Sequence, residues 1–194
     1  MTQHHHHHEH KGPGYQPTAE EMEARYLESE QLWSGNPNST LVDYAGTLKP
    51  GTALDIGCGE GADLAWLAAH GWDAEGIDFA PTAVARTRAH GLTARVADFA
   101  ELGGTTYDLV SVHYGGIPAT AEAVSLLESL VAPGGTLLFV HHEMESDEVA
   151  MPEWLAEQLT QLEVVELSRR ERHVTHGAGA MHHSDVILVA RRHS

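Results

Sequence analysis

The chain has 194 residues, 42% of them hydrophobic, and a formal charge of −17, with 11 lysines and arginines against 28 acids. That length and apolar content suffice for a buried core. So few cations exclude a phosphate-backbone binding surface and an anionic-membrane anchor. One cysteine, Cys58, excludes an internal disulfide framework, and no apolar run approaches the ~20 residues of a membrane helix.

Residues 1–16 hold His4 to His8 and His10 with Gly12, Pro13 and Gly14, and lie outside the expected fold. They are either an expression tag or a natural histidine-rich segment able to chelate divalent metals. No signal-peptide pattern is visible there. Residues 17–194 read as one domain. Thr18 and Glu21 form a capping box, predicting a helix to about Trp33 with Met22, Tyr26 and Leu27 on one face. Ser34 to Asn38 breaks it. A second helix spans about Ser39 to Leu48 with Leu41, Val42 and Ala45 inward, and Lys49-Pro50-Gly51 is a turn.

From Thr52 strands and helices alternate. A strand at about Ala53–Ile56 precedes a helix from Ala62 to His70, carrying Leu64, Leu67 and Ala68 and closed by Gly71. A strand at Trp72–Asp78 precedes a helix opened by Pro81 and closed by Gly91. Strands follow at Leu92–Val96 and Asp108–His113, the latter almost wholly apolar as a buried parallel strand should be. The remainder reads as a helix over Ala119–Val131 with Val124, Leu127, Leu130 and Val131 in one stripe, a strand at Thr136–His141, a helix from Pro152 to about Gln161, and strands at Glu163–Ser168 and Ser184–Ala190. The last two leave no room for a crossover helix and should be antiparallel. The pattern predicts an α/β, doubly wound sheet with ligands outside the carboxyl ends of its strands.

The first strand runs into Leu54-Asp55-Ile56-Gly57-Cys58-Gly59-Glu60-Gly61. Glycine permits a sharp turn and close ligand approach, and the helix beyond offers free N–H groups to an anionic moiety. The third glycine comes one residue earlier than in the dinucleotide fingerprint. About twenty residues on, Gly76-Ile77-Asp78-Phe79 ends the second strand, where a carboxylate can accept both ribose hydroxyls. Val96-Ala97-Asp98-Phe99, Tyr107 to His113 and Ala132-Pro133-Gly134-Gly135 to Val140 close or open later strands in the same order.

These blocks resemble the class I S-adenosylmethionine (SAM) dependent methyltransferases over about Thr18 to Arg192, and Trp33 to Asn38 is similar to small bacterial TehB-like members. The resemblance implies a Rossmann-like, seven-stranded, mostly parallel sheet with a C-terminal antiparallel hairpin and N-terminal helices, SAM as cofactor, a small-molecule acceptor and a cytoplasmic enzyme. It places Gly57, Gly59 and Gly61 under the methionine part of SAM. Asp55 would orient the turn or meet the amino group, Cys58 would pack or face the cofactor, and Asp78 would take the ribose hydroxyls. Phe79 would line the adenine pocket, Asp98 would accept from the adenine amino group, and Phe99 would lie beside the ring; core packing is the other reading of both phenylalanines.

In-line methyl transfer needs positioning and water exclusion, and a base only where the nucleophile starts protonated. The candidates at the mouths of the fourth and fifth strands are His113, Tyr114, His141 and His142. His113 would act as a base or contact the cofactor through its backbone. Trp33 would cap the sulfonium by a cation–π contact or serve as a helix-end core residue. His173, His176, His182 and His183, with His141 and His142, form either a metal site or a solvated loop; no metal is assigned. The alternative function is non-enzymatic, histidine-based metal or metalloid binding on the same fold. An NAD-type dehydrogenase is disfavoured by the glycine spacing and the seventh strand.

Overall fold

The computed structural model describes residues 15–172 and 184–194. The N-terminal histidine run and His173, His176, His182 and His183 lie outside the described residues. Two N-terminal helices, α1 (Ala19–Leu27) and α2 (Ser39–Ala45), precede β1 (Thr52–Ile56), α3 (Ala62–Ala69), β2 (Asp73–Asp78), α4 (Pro81–Ala89) and β3 (Thr93–Val96). A 3-10 turn at Phe99–Glu101 leads to β4 (Tyr107–His113), α5 (Ala121–Ser129), β5 (Val131–His142), α6 (Pro152–Gln158), β6 (Glu163–Glu171) and β7 (Ser184–Arg191).

The strands form one sheet in the order β3-β2-β1-β4-β5-β7-β6. The first five are parallel, and β7 inserts antiparallel between β5 and β6, as the missing crossover length requires. Strand alternation divides the core. Leu54, Ile56, Val110, Val112, Leu137 and Phe139 face α5 and α6, with Leu127 and Leu155 among their partners. Ala53, Leu109, Leu138 and Val140 face the other way, onto Leu41 of α2 and Leu67 of α3. Leu64, Val84 and Ala94 continue that second layer to α4. The strand order reverses between β1 and β4, with successive strands added first on one side of β1 and then on the other, which opens a crevice at their carboxyl ends.

Several boundaries differ from the sequence reading for tertiary reasons. The capping box of Thr18 and Glu21 is present, but α1 stops at Leu27 because the Arg86 guanidinium takes the carbonyls of Tyr26 (2.7 Å) and Ser29. Tyr26 is buried, whereas Leu27 is 70% exposed. The second helix ends at Ala45 and α6 at Gln158, each short of its expected end. Ala68 faces solvent, and the inner stripe of α3 runs through Asp63, Leu64 and Leu67 instead. An early bridge from Val131 to Tyr107 starts β5 five residues before its main ladder at Thr136.

The link from α6 to β6 depends on one buried carboxylate. Glu128 on α5 accepts the backbone N–H groups of Thr160 and Gln161, both at 2.8 Å, and of Leu162 at 3.3 Å. Removing it orphans those donors near the core. Glu128→Ala should lower the unfolding free energy by about 3 kcal/mol, and Glu128→Gln by less, read from urea midpoints.

Candidate active site

The glycine turn is the floor of a cleft of ≈ 1930 Å³ at the carboxyl ends of β1, β2 and β4. Gly57, Gly59 and Gly61 all lie in the left-handed region, at φ 77°, 54° and 91°. Their uses differ. A Cβ at Gly57 would meet nothing within 4 Å, so this position opens onto the cleft. A Cβ at Gly61 would stand 2.8 Å from the Thr87 methyl, so this glycine lets α3 close on α4. The turn's polar backbone is held from behind. Ile77 O accepts the N–H groups of Gly57 and Cys58, both at 2.9 Å, and the Thr87 hydroxyl donates to Gly59 O at 2.9 Å.

Two carboxylates frame the turn. Asp78 accepts Gly59 N–H through Oδ2 and Ala80 N–H through Oδ1, both at 2.9 Å. Burial raises its pKa, and those two N–H groups pull it back down. Asp55 is 3% exposed, and no hydrogen bond to its carboxylate forms among the described residues. Burial, then the charges of Asp63 and Asp78, push its pKa well above the usual range. A nearly buried acid edging a cleft without a donor fits a cationic ligand group.

The remaining cofactor candidates divide. Phe79 is 38% exposed on the cleft wall and Asp98 is exposed at its rim, whereas Phe99 is buried in the main core while bordering the cleft. Cys58 packs among Leu64, Val84 and Ala94, and burial raises its thiol pKa far from the reactive range. Trp33 borders the cleft, with its indole N–H donating to the Tyr26 hydroxyl at 2.7 Å.

At the other end, β4 alternation sends Ser111 and His113 toward α2 and α3. His113 Nε2 lies 2.7 Å from Thr40 Oγ1, its Nδ1 3.1 Å from Ser111 Oγ and 3.7 Å from Asp63 Oδ2. Asp63 in turn accepts the Asn38 backbone N–H (2.7 Å) and side-chain amide (2.8 Å). Both imidazole nitrogens are thus engaged, and burial lowers the His113 pKa. Tyr114 adopts φ 59°, the one positive φ outside glycine among the described residues. Its hydroxyl donates to Asp185 at 2.6 Å, and its ring stacks on His142 at 4.2 Å. Asp185 also meets His142 Nδ1 (3.3 Å) and Arg172 Nε (3.2 Å). His141 is buried, with Nε2 3.2 Å from the Gln16 side-chain nitrogen. Asp185, Arg172 and Gln16 were missed in the sequence reading. Only the β5–β7 register, which sets His142 opposite Asp185, signals one of them.

Residues 31–180 match a family model for a methyltransferase domain. A ribosomal RNA small subunit methyltransferase C from Alcanivorax borkumensis is 50% identical over 36 residues, 19% of this chain and only 11% of that protein. The fold matches the N-methyltransferase NodS from Bradyrhizobium japonicum, solved with S-adenosyl-L-homocysteine (SAH), at a TM-score of 0.72 and 20% identity, covering 91% of this chain and 99% of that one. TehB from Haemophilus influenzae matches at a TM-score of 0.63 and 19% identity, over 78% of this chain and 61% of TehB.

The titrations carry opposite signs. Asp55, with its pKa raised in the fold, destabilises the unliganded chain increasingly as pH climbs from about 3.8 through its folded value. Asp55→Asn should therefore stabilise the unliganded protein at pH 8, by on the order of 1–3 kcal/mol, with the gap closing toward pH 4. His113, with a lowered pKa, makes the fold lose stability as pH drops below 6.5. Urea midpoints of both proteins from pH 4 to 8 read the two limbs.

Proposed function

The chain belongs to the methyltransferase-domain family that its residues 31–180 match, and on that premise we propose that it methylates a small molecule in the manner of the TehB-like enzymes. It is a SAM-dependent methyltransferase by family. The observation that carries the site assignment is the Asp55 carboxylate, nearly buried and without a hydrogen-bond donor among the described residues, beside the open face of Gly57.

When bound, SAM would supply a methyl group on a sulfonium, the acceptor's lone pair bonding to the methyl carbon in line as the C–S bond breaks and SAH leaves. This chain's residues bind, orient and exclude water. Asp55 faces the cationic amino end, with Gly57 giving backbone room. Each Asp78 oxygen spends one acceptor position on the turn and keeps another for a ribose hydroxyl. Phe79 and Asp98 take the adenine edge from the cleft wall and rim. His113, tied to Thr40 and Ser111, fastens α2 over the cleft rather than moving a proton, and Tyr114, fixed by Asp185, shapes the acceptor end.

The acceptor is small because the chain is a poor partner for nucleic acid. A charge of −17 repels phosphate backbones, which weighs against carrying over the ribosomal RNA substrate of the 36-residue match. No helix among the described residues is long and apolar enough to cross a membrane. A cytoplasmic location belongs to the same proposal and rests on the family resemblance.

Calorimetric titration tests this. SAM and SAH should each bind at one site per chain, and NAD should produce no heat. Asp78→Asn should weaken SAH binding by about tenfold or more. A folded wild type that ignores both SAM and SAH would overturn the reading.

A further inference from the structure

Glu60 stands between Gly59 and Gly61, where the turn itself needs no side chain. Its carboxylate is instead the meeting point of three elements. It accepts the backbone N–H of Leu32 (3.0 Å to Oε1) and of Trp33 (2.8 Å), and pairs with Arg86 at 3.0 Å. Arg86, on α4, also takes the carbonyls of Tyr26 and Ser29. One carboxylate and one guanidinium thus fasten both the end of α1 and the strap that follows it. The side chains of the pair are 14% and 24% exposed, so water competes weakly for their bonds.

The strap rests on the turn. A Cβ at Gly59 would lie 3.3 Å from the Tyr26 hydroxyl and 3.4 Å from the Trp33 indole nitrogen, so the Tyr26–Trp33 pair occupies the space this glycine leaves. From Trp33 the strap continues through Asn38 along the cleft, and Asn38 binds Asp63. A second acid reinforces the arrangement: Glu23 of α1 accepts Thr82 N–H at 3.0 Å and the Thr82 hydroxyl, capping α4, which has no cap side chain of its own.

We propose that Glu60 is a positioning residue which couples order in the Leu32–Asn38 strap to cofactor binding, making the strap the cover of the cofactor site. The inference rests on the methyltransferase reading above. Glu60 acts through the two backbone N–H groups it holds. Its conservative replacement keeps that function in part, since the amide oxygen of glutamine still accepts an N–H while the charge opposite Arg86 is gone.

The test is SAH titration combined with hydrogen exchange on wild type, Glu60→Ala and Glu60→Gln. In wild type, SAH should slow exchange at the Leu32 and Trp33 amides. In Glu60→Ala both amides should exchange faster while Val110 and Leu138 in the central strands keep their protection, and the SAH dissociation constant should rise about tenfold. Glu60→Gln should fall between the two. If Glu60→Ala does not fold, Glu60→Gln decides the question in its place: faster exchange at those amides with weaker SAH binding supports the coupling. Unchanged SAH affinity in a variant whose strap amides have lost protection overturns the coupling, as does SAH binding to wild type that leaves those amides unaffected. Absence of SAH binding by wild type itself overturns the methyltransferase reading and this inference with it.

Discussion

The left-handed backbone between Gly57 and Gly61 is the constraint on which the rest of the site depends. A side chain at φ values of 54° to 91° would be strained at each position, and at Gly61 it would also strike Thr87. The conformation turns the chain from β1 into α3 with its backbone groups tied back to Ile77 and Thr87. The cleft side of the turn is left with little besides open space and a carboxylate. Each neighbour takes its place from that turn: α4 packs where Gly61 has no Cβ, the Tyr26–Trp33 pair where Gly59 has none, and the cleft opens where Gly57 has none.

The carboxylates set the chemistry at this turn. Asp55, Asp63 and Asp78 converge on a partly dry region, and each carries a different share of the burden. Asp63 is satisfied by Asn38 and Asp78 by two backbone N–H groups, while Asp55 has no donor among the described residues. Their mutual repulsion and burial work against the unliganded fold, which is the arrangement expected where a binding site trades stability for affinity. A cation entering next to Asp55 relieves both burdens at once, so ligand binding and folding stability are linked through the same side chain.

Much of this was legible in the sequence because it is local. Glycine spacing, strand-end acids, the capping box and the stripe of Leu64 and Leu67 all express themselves within a few residues, and they specified the doubly wound sheet and the antiparallel closure. What was not legible depends on partners far along the chain. The first helix carries helical periodicity to Trp33, yet Arg86 captures its carbonyls at Tyr26 and Ser29, and Glu60 captures the next free amides. His113 stands at a strand mouth by position. It shares strand parity with Ser111, however, which puts it on the α2 face, and a period-two count along β4 is the signal that distinguishes those two placements. Phe99 follows the same logic, since a 3-10 turn rotates it into the main core beside the cleft.

Charge gives the last step. The described cations near the cleft are largely spoken for: Arg86 by Glu60, Arg170 by Asp43 and Arg172 by Asp185. Among the described residues, Asp55 and Asp78 are then the carboxylates at the glycine turn that form no ion pair, and the family's cofactor carries positive charge at its sulfonium and amino group. The same field works against an anionic acceptor, in agreement with the charge of the whole chain. The Tyr114–His142 stack forms a flat aromatic wall of the cleft whose orientation Asp185 holds fixed. The electrostatics of the cleft are thus built on a turn whose left-handed backbone strains most residues other than glycine.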